Sequence, residues 1–197
     1  MQGNYQPGKR DSAPLFSPED DIQLTIRGCL SNDRRSQEEL YRRYYPALMA
    51  ICVRYVRDNN DVVEILNDAF LKVFRQLDKY DPGKASLYTW MRRIVINTAL
   101  DSLRRQKVIR DREMQPGEEE PGIDNDALSK LSGEELLNMI RKLPITTRLV
   151  FTLYGIDGFS HREIASMLGI SEGTSRWHLS DARRQLKLIF HLMEPNS

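Results

Sequence analysis

Apolar residues recur along this chain at the spacing of a helix. Leu40, Tyr44, Leu48, Ile51 and Tyr55 fall at intervals of four, four, three and four, and Val62, Leu66, Ala69, Val73 and Leu77 repeat the rhythm. One-face stripes at the 3.6-residue period predict two amphipathic helices. Asp58-Asn59-Asn60-Asp61 separates them as a polar turn, with Asp61 as the expected N-cap of the second. Upstream, Ser17-Pro18-Glu19-Asp20 has the order of a helix start, a capping serine followed by proline and first-turn acids. After a break at Asp81-Pro82-Gly83-Lys84, Leu87, Met91, Ile94, Val95, Ala99 and Leu103 predict another long helix. No stretch alternates apolar and polar residues, so no strand is predicted and the fold class is all-α.

The pattern stops at both ends of this block. Residues 1–20, with Pro7, Gly8, Pro14 and Pro18, lack periodicity and are expected to form a mobile tail. Gln115 to Asn125 combines Pro116, Gly117, Pro121 and Gly122 with acids and cannot bury enough apolar area to order itself. Beyond it, Leu131 to Leu143 predicts a helix that stops before Pro144. Pro144 is expected to open another, through Thr146, Val150 and Leu153. The organisation is a tail (1–20), a helical domain (21–108), a flexible acidic linker (109–130) and a second helical domain (131–194). The linker is expected to leave the spacing of the two domains unset.

Charge sharpens this division. The net charge of +1 separates into +5 for residues 1–112, −6 for 113–126 and +2 for 127–197. From Arg92 to Arg112, seven basic residues (Arg92, Arg93, Arg104, Arg105, Lys107, Arg110, Arg112) face only Asp101 and Asp111. Such a run is either a phosphate-binding surface or a solvated helix face. The longest apolar runs, such as Ile94-Val95-Ile96, fall far short of the ~20 residues a membrane span needs. No secretory pattern opens the chain, and Cys29 and Cys52 make no disulfide framework, so reduced thiols and a cytoplasmic location are expected. His161, His178 and His191 lack paired ligand spacing, so no metal is expected. No glycine-rich phosphate loop or nucleophile motif points to an enzyme or a cofactor.

The densest motif is Gly158-Phe159-Ser160-His161-Arg162-Glu163-Ile164-Ala165-Ser166-Met167-Leu168-Gly169-Ile170-Ser171-Glu172-Gly173-Thr174. Ile164, Ala165 and Leu168 give a short helix its apolar face, Ala165 being small where a second helix must cross. Gly169 supplies the turn and Ile170 plugs the gap. Ser171 caps a following helix through Trp177, Leu179, Leu186 and Ile189. This is helix-turn-helix grammar, in which the start of the second helix presents side chains to base edges in the major groove.

With these residues in place the chain resembles the extracytoplasmic-function sigma factors, the small two-domain specificity subunits of bacterial RNA polymerase in the sigma-70 family. The C-terminal likeness rests on Leu143-Pro144, Arg148, Leu153, Asp157-Gly158, Glu163-Ile164-Ala165, Leu168-Gly169-Ile170-Ser171, Gly173-Thr174 and Ala182-Arg183. An independent N-terminal likeness rests on the run from Asp61 to Phe74, then Leu77-Asp78, Tyr80, Ser86-Leu87, Thr89-Trp90-Met91 and the run from Asn97 to Arg105.

The resemblance implies partners and roles. Asp61, Glu64, Asn67 and Asp68 would dock a basic coiled coil of core RNA polymerase, where charge pairs set register more than affinity. Lys79, Tyr80, Lys84, Tyr88, Trp90, Arg92, Arg93, Asn97, Arg104 and Arg105 would read and open the minus-ten element of promoter DNA. Aromatics would capture an unstacked base there while cations hold the backbone; Trp90 equally fits a packing role. Glu172, Thr174, Ser175, Arg176, His178 and Arg183 would read the minus-thirty-five element. Arg176 suits a bidentate contact to guanine, and Arg183 fits either base or phosphate. Ser175 stands where the family often has valine, and Asp181 where it often has a basic residue; Asp181 is expected to pair with Arg184 or Arg176. The linker acids would either mimic nucleic acid in a polymerase channel or act as a solubilising tether. A membrane-linked anti-sigma factor is a further implied partner, with no direct membrane insertion by this chain. The competing reading is a conventional dimeric helix-turn-helix regulator, which would carry a ligand or receiver domain in place of the aromatic-basic block.

Overall fold

Short polar side chains set the start of three long helices in the first half of the chain. The computed structural model describes residues 18–56, 58–106 and 133–193; the expected tail up to residue 17, the capping Ser17, Lys107, Arg110, Arg112, the linker and Leu131 lie outside them. Helix α1 spans Pro18–Leu30, α2 Arg34–Tyr55, α3 Asn59–Gln76 and α4 Leu87–Arg105, with a 3₁₀ turn at Leu77–Lys79. Asp33 caps α2 by accepting the Ser36 N–H at 2.9 Å. The cap of α3 is Asp58 rather than Asp61. Its extended backbone lets Oδ1 accept from the N–H of Asn60 at 2.7 Å and of Asp61 at 3.4 Å, which leaves Asp61 inside the first turn. Ser86 starts α4, accepting the Thr89 N–H at 3.2 Å.

The stripes pack as their period requires. Helix α2 lies against α1, α3 and α4, and α3 against α4. Leu40, Leu48, Val62, Leu66, Met91 and Ile96 are fully buried between them. Each such side chain contributes about 1.5–3 kcal/mol by leaving water. Pro46 sits inside α2 on its exposed side, where the hydrogen bond it lacks is lost toward solvent. Cys29 and Cys52 are free and buried. Burial pushes the Cys52 thiol up to about 12, and burial with the nearby Asp33 and Glu39 pushes Cys29 up to about 11. Both stay protonated and pack as small apolar groups.

The second bundle comprises α5 (Gly133–Arg141), α6 (Ile145–Phe151), α7 (His161–Leu168) and α8 (Glu172–Met193). Pro144 stands at the N-cap of α6 rather than within it, since its extended ψ of 147° places the helix start one residue later. Helix α6 also ends earlier than its apolar period suggests. A single π turn, Thr152–Ile156, follows it, and the Asp157 N–H bonds back to Thr152 O at 3.0 Å. Helices α5, α6 and α7 all pack on α8, burying Met139, Ile140, Leu149, Ile164, Ala182 and Leu186. No helix among the described residues is long and apolar enough to cross a membrane.

The two bundles touch, α4 against α7, so their spacing is set rather than left to the linker. The reason is electrostatic and lies in the site described below.

Gly28 marks the tightest approach in the first bundle. A Cβ there would overlap Ser36 Oγ and come within 2.7 Å of Ser36 Cβ, on a serine whose hydroxyl is already held by Asp33 at 2.7 Å. Gly28→Ala is therefore expected to destabilise the N-terminal bundle by about 1–3 kcal/mol, read by urea denaturation with Trp90 fluorescence. An unchanged midpoint would show that α1 and α2 part at no cost.

Candidate nucleic-acid interface

Three surfaces carry the residues that the sequence singles out. On α3, Asp61, Glu64 and Asp68 share a helix face at three- and four-residue spacing, with Asn67 beside them. Glu64 and Asn67 are exposed, and Asp61 and Asp68 are half-buried. Tyr41 OH donates to Asn67 Oδ1 at 3.4 Å, and Arg105 lies 3.8 Å from Asp68. The same helix exposes Val63 and Leu71, 43% and 52% accessible, so the acidic face has an apolar component that charge counting overlooks.

The second surface is the loop before α4 and the helix itself. Tyr80 OH donates to Ala85 O at 3.1 Å, and its ring lies 5.6 Å from that of Trp90. These contacts make Trp90 half-buried packing under the loop and hold the loop's shape. Tyr88, Lys79, Lys84 and Asn97 are exposed. Lys84 pairs with Asp81 at 3.4 Å across solvent, a contact worth about 0–1 kcal/mol. Arg104 is bound to Asp101 at 2.6 Å and also donates to Met167 O.

The third is the helix-turn-helix. Ser160 accepts the Glu163 N–H at 3.3 Å while Glu163 Oε2 accepts the Ser160 N–H at 3.1 Å, a reciprocal capping box at the start of α7. Gly169 adopts φ 72°, the left-handed conformation that a side chain disfavours, and ends α7. Ser171 accepts the Thr174 N–H at 2.9 Å and opens α8. Arg176 and Arg183 are exposed, Glu172 and Thr174 half-buried, and Arg176 is 3.1 Å from Glu172.

Two expected base contacts sit elsewhere. Ser175 is fully buried, its hydroxyl 2.9 Å from His161 Nδ1. His178 is 6% exposed, its Nδ1 2.9 Å from Thr147 Oγ1. Both fall on the inner side of α8, so their side chains fasten that helix to α6 and α7 rather than face outward. Asp181 is held by Arg184 at 2.7 Å and Gln185 at 2.7 Å, with Thr147 at 3.5 Å.

Between the bundles lies a cluster that the sequence does not announce. Asp157, whose side chain is 1% exposed, takes Arg54 Nη1 and Arg92 Nη2 on Oδ1, each at 3.0 Å, and the Tyr55 hydroxyl on Oδ2. Arg92 also donates to the Asp157 carbonyl at 2.6 Å and lies 5.7 Å above the Phe159 ring. Arg148 Nη2 reaches Tyr55 O at 3.5 Å, and Arg93 approaches Glu163 at 3.5 Å. Burial first, then the Asp157 charge, drives the Tyr55 phenol far above its ordinary value, which fixes it as a donor. Arg92 thus faces the second bundle instead of solvent. A fully buried tyrosine in an apolar stripe needs an acceptor for its hydroxyl, and that need was the available signal.

Known proteins share both halves. The sigma-70 region 2 model matches residues 40–108 and the sigma-70 region 4 model residues 133–186, together more than half of the chain. The ECF RNA polymerase sigma-E factor of Escherichia coli (strain K12) is 29% identical over 186 residues, covering 83% of this chain and 91% of that protein. The ECF RNA polymerase sigma factor SigE of Mycolicibacterium smegmatis is 29% identical over 158 residues, covering 77% of this chain and 60% of that one. Among solved structures, CnrH in complex with the cytosolic domain of CnrY gives a TM-score of 0.50 at 22% identity, over 89% of this chain and all of that one. The sigma factor RpoE in complex with the anti-sigma factor NepR from Bartonella quintana also gives 0.50, at 19% identity, over 80% and 98%. The chain belongs to the sigma-70 family of RNA polymerase sigma factors, in its extracytoplasmic-function group.

The inward histidines are expected to make the helix-turn-helix domain acid-sensitive. Burial lowers the pKa of His178 against the opposing pull of Asp181, and burial with Arg176 lowers that of His161. A histidine held neutral in the fold but free to take a proton near 6.5 when unfolded contributes stability that is complete above that pH. That stability is lost as pH falls, at up to about 1.4 kcal/mol per pH unit for each ring. Urea midpoints of a Trp90→Phe variant, read by Trp177, are expected to fall from pH 7 to pH 5.5, and the fall should shrink in His178→Gln. A flat profile would place both rings in contact with solvent.

Proposed function

We propose that this sigma factor docks core RNA polymerase through Asp61, Glu64, Asn67 and Asp68, and that residues 21–108 act as region 2 and 131–194 as region 4. The mixed face of α3 supports the docking role, since acids with flanking Val63 and Leu71 suit a basic coiled coil with an apolar seam. Tyr80, Tyr88 and Trp90 would form or brace the pocket that captures an unstacked minus-ten base. Lys79, Lys84, Arg92, Arg93, Asn97, Arg104 and Arg105 would hold the displaced strand and the upstream duplex. Arg176, Thr174, Glu172 and Arg183 would read the minus-thirty-five element, with Ser175 and His178 bracing the helix that presents them. The bond-forming chemistry belongs to the polymerase core, so this subunit works without a catalytic centre or cofactor of its own. An anti-sigma protein is the antagonist that this reading assigns, and the cytoplasm is where polymerase and chain would meet.

One observation carries the reading: a region 2 match over an aromatic-basic loop and helix precedes a region 4 match over a capped helix-turn-helix in a single chain. A dimeric operator-binding regulator accounts only for the latter.

The test is initiation from a promoter library by core polymerase with this chain. Selected transcripts should require both components. Arg176→Ala should then cost about 1–3 kcal/mol of discrimination at one upstream base pair. A uniform loss across all sequences would place Arg176 on phosphate, and tight specific binding of the free chain as a dimer would favour the regulator.

A further inference from the structure

The cluster at Asp157 does more than join two bundles. Arg92 is one of the cations assigned to the minus-ten strand, and here its charge is already satisfied. A carboxylate and a carbonyl of Asp157 hold its Nη2, and Phe159 covers its guanidinium face. Arg93 and Arg104, neighbours on the same helix, meet Glu163 and the Met167 carbonyl. Residues 157–167 therefore present to α4 the oxygens that a phosphate backbone would present. A guanidinium saturated by one set of oxygens is not available to another.

We propose that Asp157 is the catch of an intramolecular latch, which closes the free chain by placing region 4 oxygens on the minus-ten arginines and thereby blocks region 2 from DNA. This rests on the sigma-factor reading above. The latch is local to one reader. Arg176, which lines a cavity with Gly158 and Phe159, and Arg183 both stay exposed on α8, so the closed chain keeps its upstream reader open. Its energetics suit release. A buried ion pair gains little over its desolvation cost while intact and is badly destabilised when one partner is withdrawn. A surface that takes one member of the cluster therefore opens the whole. The sequence places its components in two runs that polymerase would grip separately, Arg54, Tyr55 and Arg92 in one bundle and Asp157 in the other.

Two variants leave every DNA-assigned residue in place. Asp157→Asn removes the charge at the catch. Arg54→Ala removes one arm of the cluster, and it lowers the chain's positive charge, which by itself would weaken DNA binding. The probes are a labelled fork-junction DNA with a single-stranded minus-ten arm, taken from a promoter that the holoenzyme uses, and a duplex carrying only the upstream element. Both variants, without polymerase, should bind the fork roughly ten-fold tighter than the original chain, the factor expected if about one molecule in ten is open at rest. The salt dependence on the fork should steepen as freed arginines meet phosphates, and affinity for the upstream duplex should stay unchanged. Arg54→Ala decides the matter alone if Asp157→Asn fails to fold. Unchanged fork affinity in folded variants, beside normal initiation by the original chain with core polymerase, overturns the latch and leaves the sigma-factor reading intact. Absence of initiation by the original chain overturns that reading instead.

Discussion

A carboxylate removed from water must be given donors, and the placement of Asp157 follows from that constraint. Arg54, Tyr55 and Arg92, which hold its side chain, all come from the first bundle. Burial of this one charge therefore depends on both bundles being together. The π turn at Thr152–Ile156 is the local device that makes it possible. By shifting the helical ladder by one residue it ends α6 and delivers Asp157, Gly158 and Phe159 to the seam. Gly158 continues the turn at φ 76°, a conformation that side chains resist. A left-handed turn and a buried charge cooperate at this contact. It fixes the orientation of the two bundles.

The two helices proposed as readers are built on firmer ground. Helix α4 is pinned along Met91, Val95, Ile96 and Ala99, so its arginines project from a rigid rod. Helix α8 is fastened from beneath by two polar contacts, His161 to Ser175 and Thr147 to His178, in addition to Leu179, Ala182 and Leu186. These buried polar pairs specify a single rotation of α8 about its axis, because each leaves an unsatisfied group if the helix turns. The polar residues Ser175 and Asp181 belong to this fastening. Their cost is a domain whose stability depends on neutral histidines.

Much of this was legible in the residues. The 3.6-residue stripes located α2, α3 and α4, and Gly169, Ile170 and Ser171 located the turn between α7 and α8, because capping and left-handed positions admit few residue types. Which of two carboxylates caps α3 was not legible, since Asp58 and Asp61 flank the same polar turn and only backbone geometry selects between them. Ser175 and His178 were misplaced for a related reason: proximity to the start of a reader helix says nothing of which side of the helix a polar residue faces when the inner side also holds polar partners. Contact between the bundles was hidden most deeply. Asp157 looks like a turn residue beside Gly158, and its partners are about 65 and 100 positions away in the chain, a separation at which periodicity carries no information. The need of the Tyr55 hydroxyl, set in an apolar stripe, for an acceptor was the one clue.

The distance between the bundles in solution tests the account most directly. Exposed sites at Asp78 and Lys187 accept labels as cysteines, and the native thiols, buried and held protonated, stay unreactive. Single-molecule energy transfer on the free chain should give a dominant narrow, closed population with about one molecule in ten open, and addition of core RNA polymerase should leave only the distinct, more open one. A broad distribution in the free chain, or the same distance with and without polymerase, would contradict a latched protein that polymerase unfastens.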